Sequence, residues 1–397
     1  MPQHIVLCLN CGSSSLKFAL YQLGETEELR LANGAVEGIG LPAGRLWIRG
    51  LNGDALVEIR REFATHAAAA AAVAESAGGL GLPTPEAAGH RIVHGGPHYT
   101  APTRIDGAVL ENLRRLVTFA PLHMPSAIEG IEAVALRFPG LPQVACFDTA
   151  FHRRMPQVAQ RLPLSRDVWD QGIRRYGFHG LSYEYIAATL GVAAMGRLLI
   201  AHLGNGASLA AILDGRPVDT TMGFTPSGGL MMGTRSGDLD PGVMIHFARE
   251  QRYEAGRLET LVSERAGLLG VSDISSDMKT LLDKRETDGR ADEAVELFCY
   301  QLCKQIGAMA AVLGGLDTLV FTGGIGEHAA PVRAEVCRKL THLGIKFDDD
   351  KNMIHASIIS VPGSPCTVRI VPANEDLMIA RHTRTVILET VTNTQEK

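Results

Sequence analysis

No apolar run in this 397-residue chain approaches the ~20 residues that a bilayer-crossing helix needs, so nothing supports a membrane-spanning segment. No basic block stands out either. Lysine and arginine are scattered and the formal net charge is −5, which leaves a nucleic acid or an anionic membrane without an electrostatic footprint. Cys8 and Cys11 form a lone C-x-x-C, with no second pair and no spaced histidines to complete a zinc site. Residues three apart on an extended strand also point to opposite faces. The seven cysteines therefore read as small buried hydrophobes in a reducing compartment. Met1-Pro2-Gln3-His4 lacks a basic n-region, and the expected location is cytoplasmic. Neither G-x-x-x-x-G-K-[ST] nor a correctly spaced G-x-G-x-x-G occurs, which sets aside the P-loop and Rossmann nucleotide sites.

What is present describes a globular protein: 46% hydrophobic and 20% charged residues, in a chain too long for one core. The first 60 residues alternate short apolar runs with glycine turns, at Asn33-Gly34 and Asn52-Gly53, and predict antiparallel strands. Six consecutive alanines within Phe63–Ala77 predict a helix. Helical spacing recurs at Ala108–Phe119 and Ala127–Phe138, with APLHMPS as the loop between. The pattern restarts near residue 150. There Gly206-Ala207-Ser208-Leu209 echoes Gly12-Ser13-Ser14-Ser15-Leu16, with one residue fewer in the turn. Two helices are expected over about 291–314, then a strand, a helix, a strand near 368–371 and a final helix, Glu375–Thr385.

Several stretches admit a structural and a functional reading. IVLCLNCGSSSLKFAL (5–20) is either a hairpin with a polar turn, or one whose N–H groups and hydroxyls face a phosphate near Lys17. HRIVHGG places Arg91 and Val93 on one strand face, about 7 Å apart, which suits a short carboxylate with a small alkyl tail as well as an ordinary salt-bridged arginine. FTGGIGEH is a plain turn or a close backbone approach to a nucleotide. MGFTPSGGLMMGTRSGDLDPG (222–242) is too rich in glycine and proline for a core element and too apolar for a solvated loop. It reads as a functional loop that presents Arg235, or as an Ω-loop. Asp148 and His179 fall where loops gather at the carboxyl ends of strands. Asn374, Glu375 and Asp376 open a helix, and capping accounts for them unless a divalent metal lies nearby.

Together NCGSSSLKF, GHRIVHGG, APLH, FDTAFH, RRYGFHG, HLGNGAS, the 222–242 stretch, FTGGIGE and NEDLMIA resemble the acetate kinase family, within the acetate and sugar kinase/Hsp70/actin superfamily. The resemblance covers nearly the whole chain, with the motifs in the family's order. It implies an α/β fold of two actin-like (ribonuclease H-like) domains facing across a nucleotide-binding cleft. The first would be residues 1–150 plus a C-terminal helix at about 380–397, carrying the first phosphate loop and part of the acyl site. The second, 151–380, would carry the second phosphate loop, the adenosine site and the catalytic loop. The implied activity is reversible, Mg²⁺- or Mn²⁺-dependent transfer of the ATP γ-phosphate to acetate, giving acetyl phosphate and ADP. The implied assembly is a homodimer.

Carried over by motif, Asn10 and Glu375 would hold the metal, and Ser13, Ser15 and Lys17 would form the first phosphate loop. Arg91 and Arg235 would bind carboxylate and phosphoryl oxygens, and Asp148 would orient or activate the reacting groups. His179 would stabilise the transferring phosphoryl with His123 close by, and Val93, Leu122, Phe178 and Pro226 would hold the acyl methyl. His202, Leu203, Gly204, Asn205 and Gly206 match the second phosphate loop. Asp277, Met278, Lys279, Gly323, Gly324, Ile325 and Gly326 match the adenosine site. The chain departs from the family pattern at Met124, Ser126, Ser227, Gly228, Lys279 and His328.

The chemistry explains this choice of residues. Acetate is ionised at neutral pH, and one like-charge pair at 4 Å costs roughly 4 kcal/mol at an effective dielectric of 20. Such a site needs cations more than a base, and direct in-line transfer is expected. A propionate or other short-chain carboxylate kinase is the near alternative, and a non-catalytic actin- or Hsp70-like module the distant one.

Overall fold

Alternation of apolar and polar residues builds the first strands: β1 (His4–Gly12), β2 (Ser15–Leu23), β3 (Glu28–Glu37), β4 (Gly44–Gly50) and β5 (Ala55–Arg61) pair antiparallel in sequence order. β6 (Ala87–Ile92) adds parallel to β1, the short β7 (Thr103–Arg104) lies at the edge, and β8 (Gln143–Phe147) runs parallel to β6. This computed structural model describes residues 3–191 and 196–395. It divides into two units, Met1–Ala150 with Asn374–Lys397, and Phe151–Ala373.

The second unit has its own sheet. β9 (Arg197–Leu203), β10 (Ala207–Leu213) and β11 (Arg216–Thr220) are antiparallel, and β12 (Thr318–Thr322) and β13 (Thr367–Ile370) continue parallel to β9. Its order, β11-β10-β9-β12-β13, repeats the β3-β2-β1-β6-β8 part of the first sheet strand for strand. The weak sequence echo between the two opening hairpins is thus a repeat of topology. Its turn lengths are the reverse of those expected: only Ser13-Ser14 lies between β1 and β2, whereas Gly204-Asn205-Gly206 joins β9 to β10. Cys11, Gly12 and Ser15 sit in the ladder because the strands stay paired to the last residue.

Other expectations also shift. Asn33-Gly34 is mid-strand in β3, where a β-carbon on Gly34 would lie 2.3 Å from the Trp47 carbonyl oxygen and 2.7 Å from the Phe18 ring. The glycine makes room for Phe18 rather than making a turn. Residues 291–314 form one helix, Gly289–Leu313, capped by Asp288 and closed by left-handed Gly314. The ~1 kcal/mol cost of Gly307 is outweighed by the buried stripe running from Ala291 to Leu313. The APLHMPS loop is shorter than expected, because the helix Met124–Arg137 already starts at Met124, with proline in its first turn. Val93 lies just past the end of β6, so the strand-face argument linking it to Arg91 does not hold. The last helix runs on to Gln395.

In the first unit, Leu7, Leu9, Leu16, Phe18 and Leu20 share a core cluster with Ala69, Ala70, Ala72, Val73, Ala133 and Val134, from the helices His66–Gly79 and Met124–Arg137. Cys11 packs on this side, against Gly130. Burial pushes its thiol up to about 12, and pushes the fully buried Cys8 well above its usual range, so neither is a ready thiolate. The helix Glu375–Gln395 runs over Gly89 of β6, where a β-carbon would lie 2.2 Å from Thr383 Oγ1 and 2.5 Å from Ile379 Cγ2. Among the described residues no helix is long and apolar enough to cross a membrane. Gly89→Val should force that helix off the sheet and cost about 1–3 kcal/mol, read as a lowered midpoint in urea denaturation.

Candidate active site

In the first unit several of the expected site residues lie where β1, β6 and β8 end. Asn10 and Lys17 are directly opposed across the β1–β2 hairpin, and Gly12 opposes Ser15. Ser13 and Lys17 are exposed, and Asn10 and Ser15 are half-buried. Arg91, the fifth residue of β6, forks onto Asp148, one residue past β8: Nη2 donates to Oδ2 at 2.7 Å and Nε to Oδ1 at 3.0 Å. Its Nη1 lies 3.1 Å from Glu375 Oε2, in the first turn of the last helix. That helix start is pinned by Asn374, whose Oδ1 accepts from the Leu377 amide and the Tyr21 hydroxyl. His123 and Leu122 stand just before the helix Met124–Arg137, and Leu122 is exposed. Val93 packs on the neighbouring apolar cluster.

Charge is unevenly matched here. Burial opposes the charge on Arg91, but Asp148 and Glu375 outweigh it and raise its pKa. Asp376 sits beside them. Burial, then the Glu375 carboxylate, lifts it to about 6, against the pull of Arg91, Arg30 and Lys17. Crowded carboxylates with hard oxygen donors are what a divalent cation relieves. A folded value above the usual ~3.9 means that the contribution of Asp376 to stability is complete below about pH 4 and lost as pH rises through about 6. In divalent-free buffer, Asp376→Asn should therefore raise Tm at pH 7.5 and leave it nearly unchanged at pH 4. An equal shift at both pH values would contradict this.

In the second unit, the hairpin turn Gly204–Gly206 is the focus. The 222–242 segment is irregular up to the helix Pro241–Glu250 and packs on that turn, with the Gly233 amide donating to the Asn205 carbonyl at 3.0 Å. A β-carbon on Gly233 would collide with Asn205 Oδ1. The loop folds back so that Met232 N donates to the Arg235 carbonyl, and Arg235 Nη1 donates to the Pro226 carbonyl at 2.9 Å. His179 occupies a left-handed position, φ 58°, immediately before the helix Gly180–Leu190. Its ring stacks on His202 of β9 with centroids 4.3 Å apart. The point a Gly206 β-carbon would occupy is 3.1 Å from His179 Nε2 and 3.5 Å from Arg235 Nη1. An imidazole and a guanidinium thus converge where only glycine leaves room. Phe178, next to His179 in sequence, and Pro226, whose carbonyl Arg235 contacts, are buried, and Leu203 is buried at the end of β9.

A cavity of about 700 Å³ lies next to the same turn, lined by Gly204, Asn205, Asp277, Lys279, Gly324 and Ile325, with Met278 also at its wall. Asp277 caps the helix Met278–Lys284, and accepting from Thr280 holds its carboxyl below the usual range. Gly323 and Gly326 are buried and face β9 rather than the cavity. Their short helix, Gly323–His328, is tied at both ends. Glu327 Oε1 accepts from the Gly323 amide, and the fully buried Arg333 donates to the Gly326 and Glu327 carbonyls. The motif reading did not assign Ser276, Asp283 or Pro331, which also line the cavity. Asp283 lies one helical turn from Lys279, and that spacing was its only signal in the sequence.

The model of the Acetokinase family matches residues 5–381 of this chain. The acetate kinase of Rhodopseudomonas palustris (strain ATCC BAA-98 / CGA009) is 46% identical over 391 residues, covering 95% of this chain and 97% of that protein. The acetate kinase of Pseudomonas aeruginosa (strain LESB58) is 42% identical over 395 residues, covering 96% and 99%. Among solved structures, Porphyromonas gingivalis acetate kinase superposes with a TM-score of 0.87 at 38% identity, covering 97% of this chain and 100% of that one. A propionate kinase from Francisella tularensis gives 0.89 at 34% identity, covering 96% and 100%. With a five-strand order shared by its two sheets and a match over nearly its full length, this chain belongs to the acetokinase family.

Proposed function

We propose that this protein is an acetate kinase, transferring the γ-phosphate of ATP directly to acetate to give acetyl phosphate and ADP. The observation that carries the reading is the meeting of His179 Nε2 and Arg235 Nη1 over Gly206, beside a nucleotide-sized cavity. The acceptor is already an anion, so the work of the site is to cancel charge and align an in-line displacement. Arg91 and Arg235 supply fixed positive charge. Arg91 is oriented by Asp148, and Arg235 is held by the Pro226 carbonyl. His179 donates to the phosphoryl oxygens with His123 in support, and Ser13, Ser15, Lys17, His202 and the Leu203–Gly206 segment bind phosphates. Lys279 with Asp277 flanks the adenosine.

Asn10 and Glu375 fit a hard divalent ion. Among the described residues no three His, Cys, Asp or Glu gather into a cage, so such an ion would rest on one or two protein oxygens and the nucleotide's phosphates, the habit of Mg²⁺. When bound, Mg²⁺ or Mn²⁺ neutralises phosphate charge. The first unit is assigned the first phosphate turn and the metal, and the second unit the second phosphate turn, the adenosine and the Arg235 loop. Seven cysteines, all buried or half-buried, agree with a cytoplasmic setting. Acetate is preferred over propionate, with Val93, Leu122, Phe178 and Pro226 touching the acyl tail.

A homodimer is part of the same reading. The helix Pro241–Glu250 buries none of its residues, with Val243 and Ile245 exposed along it and Leu239 exposed just before it.

Three measurements test these assignments. A hydroxamate assay with ATP should show kcat/KM highest for acetate, with each added methylene costing roughly 1–3 kcal/mol in the transition state. Acyl phosphate from none of acetate, propionate or butyrate would end the proposal. Arg91→Ala and Arg235→Ala should each lower kcat/KM about 10³-fold, on the order of 4 kcal/mol, and a loss below tenfold for both would remove the charge-cancellation mechanism. Ile245→Asp should shift sedimentation from dimer to monomer, and a wild-type monomer would refute the assembly.

A further inference from the structure

His179 has two ring nitrogens, and only one of them faces Gly206 and Arg235. The other, Nδ1, lies 2.8 Å from Ser208 Oγ, which in turn lies 2.5 Å from the Tyr183 hydroxyl. Local structure places all three. Tyr183 is in the first turn of the helix Gly180–Leu190, its amide donating to the His179 carbonyl, and both side chains reach Ser208 Oγ. Ser208 lies on β10 directly opposite His202, the ring that stacks on His179. Ser208 and Tyr183 are fully buried, and the Tyr183 ring packs against Phe151 and His152.

We infer that Tyr183 and Ser208 form a hydroxyl relay that holds His179 with its proton on Nε2, making the imidazole a neutral hydrogen-bond donor toward the transferring phosphoryl group. The direction follows from donor and acceptor strength. A phenol is a better donor than an aliphatic hydroxyl, and an imidazole nitrogen is a better acceptor than a hydroxyl oxygen. The favourable order is therefore Tyr183 O–H to Ser208 Oγ, and Ser208 O–H to His179 Nδ1, each bond polarising the next. With Nδ1 accepting, the single ring proton sits on Nε2, the nitrogen 3.1 Å from the Gly206 point. The opposite order would turn a lone pair toward the phosphoryl oxygens and repel them. Tyr183 and Ser208 touch no reacting atom in this scheme, so they are positioning residues. The inference rests on the acetate kinase reading for what His179 does, but the tautomer itself can be observed without turnover.

The test is a two-bond ¹H–¹⁵N correlation spectrum of ¹⁵N-histidine-labelled protein, with the His179 signals assigned by their absence in His179→Asn. The expected wild-type pattern is an unprotonated Nδ1 and a protonated Nε2. Tyr183→Phe keeps the ring and removes the terminal donor. It should convert His179 to mixed tautomers and lower kcat about tenfold, with KM for ATP and acetate within twofold of wild type. Ser208→Ala should shift the spectrum further. A wild-type His179 protonated on Nδ1 overturns the relay even if acetyl phosphate is made, as does a folded Tyr183→Phe with unchanged kcat and spectrum. If Tyr183→Phe does not fold, the wild-type tautomer and Ser208→Ala still decide. Absence of acyl phosphate from wild type, by contrast, overturns the reading of the activity whatever the tautomer.

Discussion

The guanidinium of Arg91 joins three elements that are far apart in sequence: the end of β6, the residue after β8 and the first turn of the last helix. Asp148 and Glu375 share one cation, and beside them burial and the Glu375 carboxylate raise the pKa of Asp376. A buried charge is tolerable only when its partners are placed with good geometry, and the fork on Asp148 provides that placement. The rest of the first unit serves this arrangement. Gly89 lets the last helix approach the sheet, Asn374 fixes its start, and the paired hairpin residues bring Asn10 and Lys17 up to it.

The second unit solves a different problem with the same sheet order. Here Arg235 donates to a backbone carbonyl, and His179 contacts a serine hydroxyl and stacks on His202. Arg333 anchors a neighbouring element. It is fully buried, and burial lowers its pKa to about 10. It spends its donors on the carbonyls of Gly326, Glu327 and Asn352, on Asn352 Oδ1 and on His355 Nδ1, and so fixes the short helix beside the nucleotide-sized cavity.

Much of this was legible in the chain because the signals were local. The antiparallel start, the glycine-rich turns, the irregular 222–242 segment and the NED helix start each depend on residues within a few positions of one another. The errors share one cause. Gly34 looked like a turn because its neighbour across the strands, the Phe18 ring, cannot be read from its own surroundings. The helix Gly289–Leu313 looked broken because the burial that outweighs Gly307 is contributed by other elements. The hairpin turns were misjudged in length because register is settled by the partner strand.

By itself, then, the sequence determined the class of fold, the repeated strand–turn–strand openings and the family, since these rest on local periodicity and on long ordered motifs. Only the tertiary structure decided which nitrogen of His179 meets Gly206, that Tyr183 and Ser208 stand behind it, and that Asp376 is crowded by Glu375. Those facts depend on side chains 25 to 29 positions apart meeting around His179 and on the burial around Asp376, and neither exists until the sheets and helices have closed on one another.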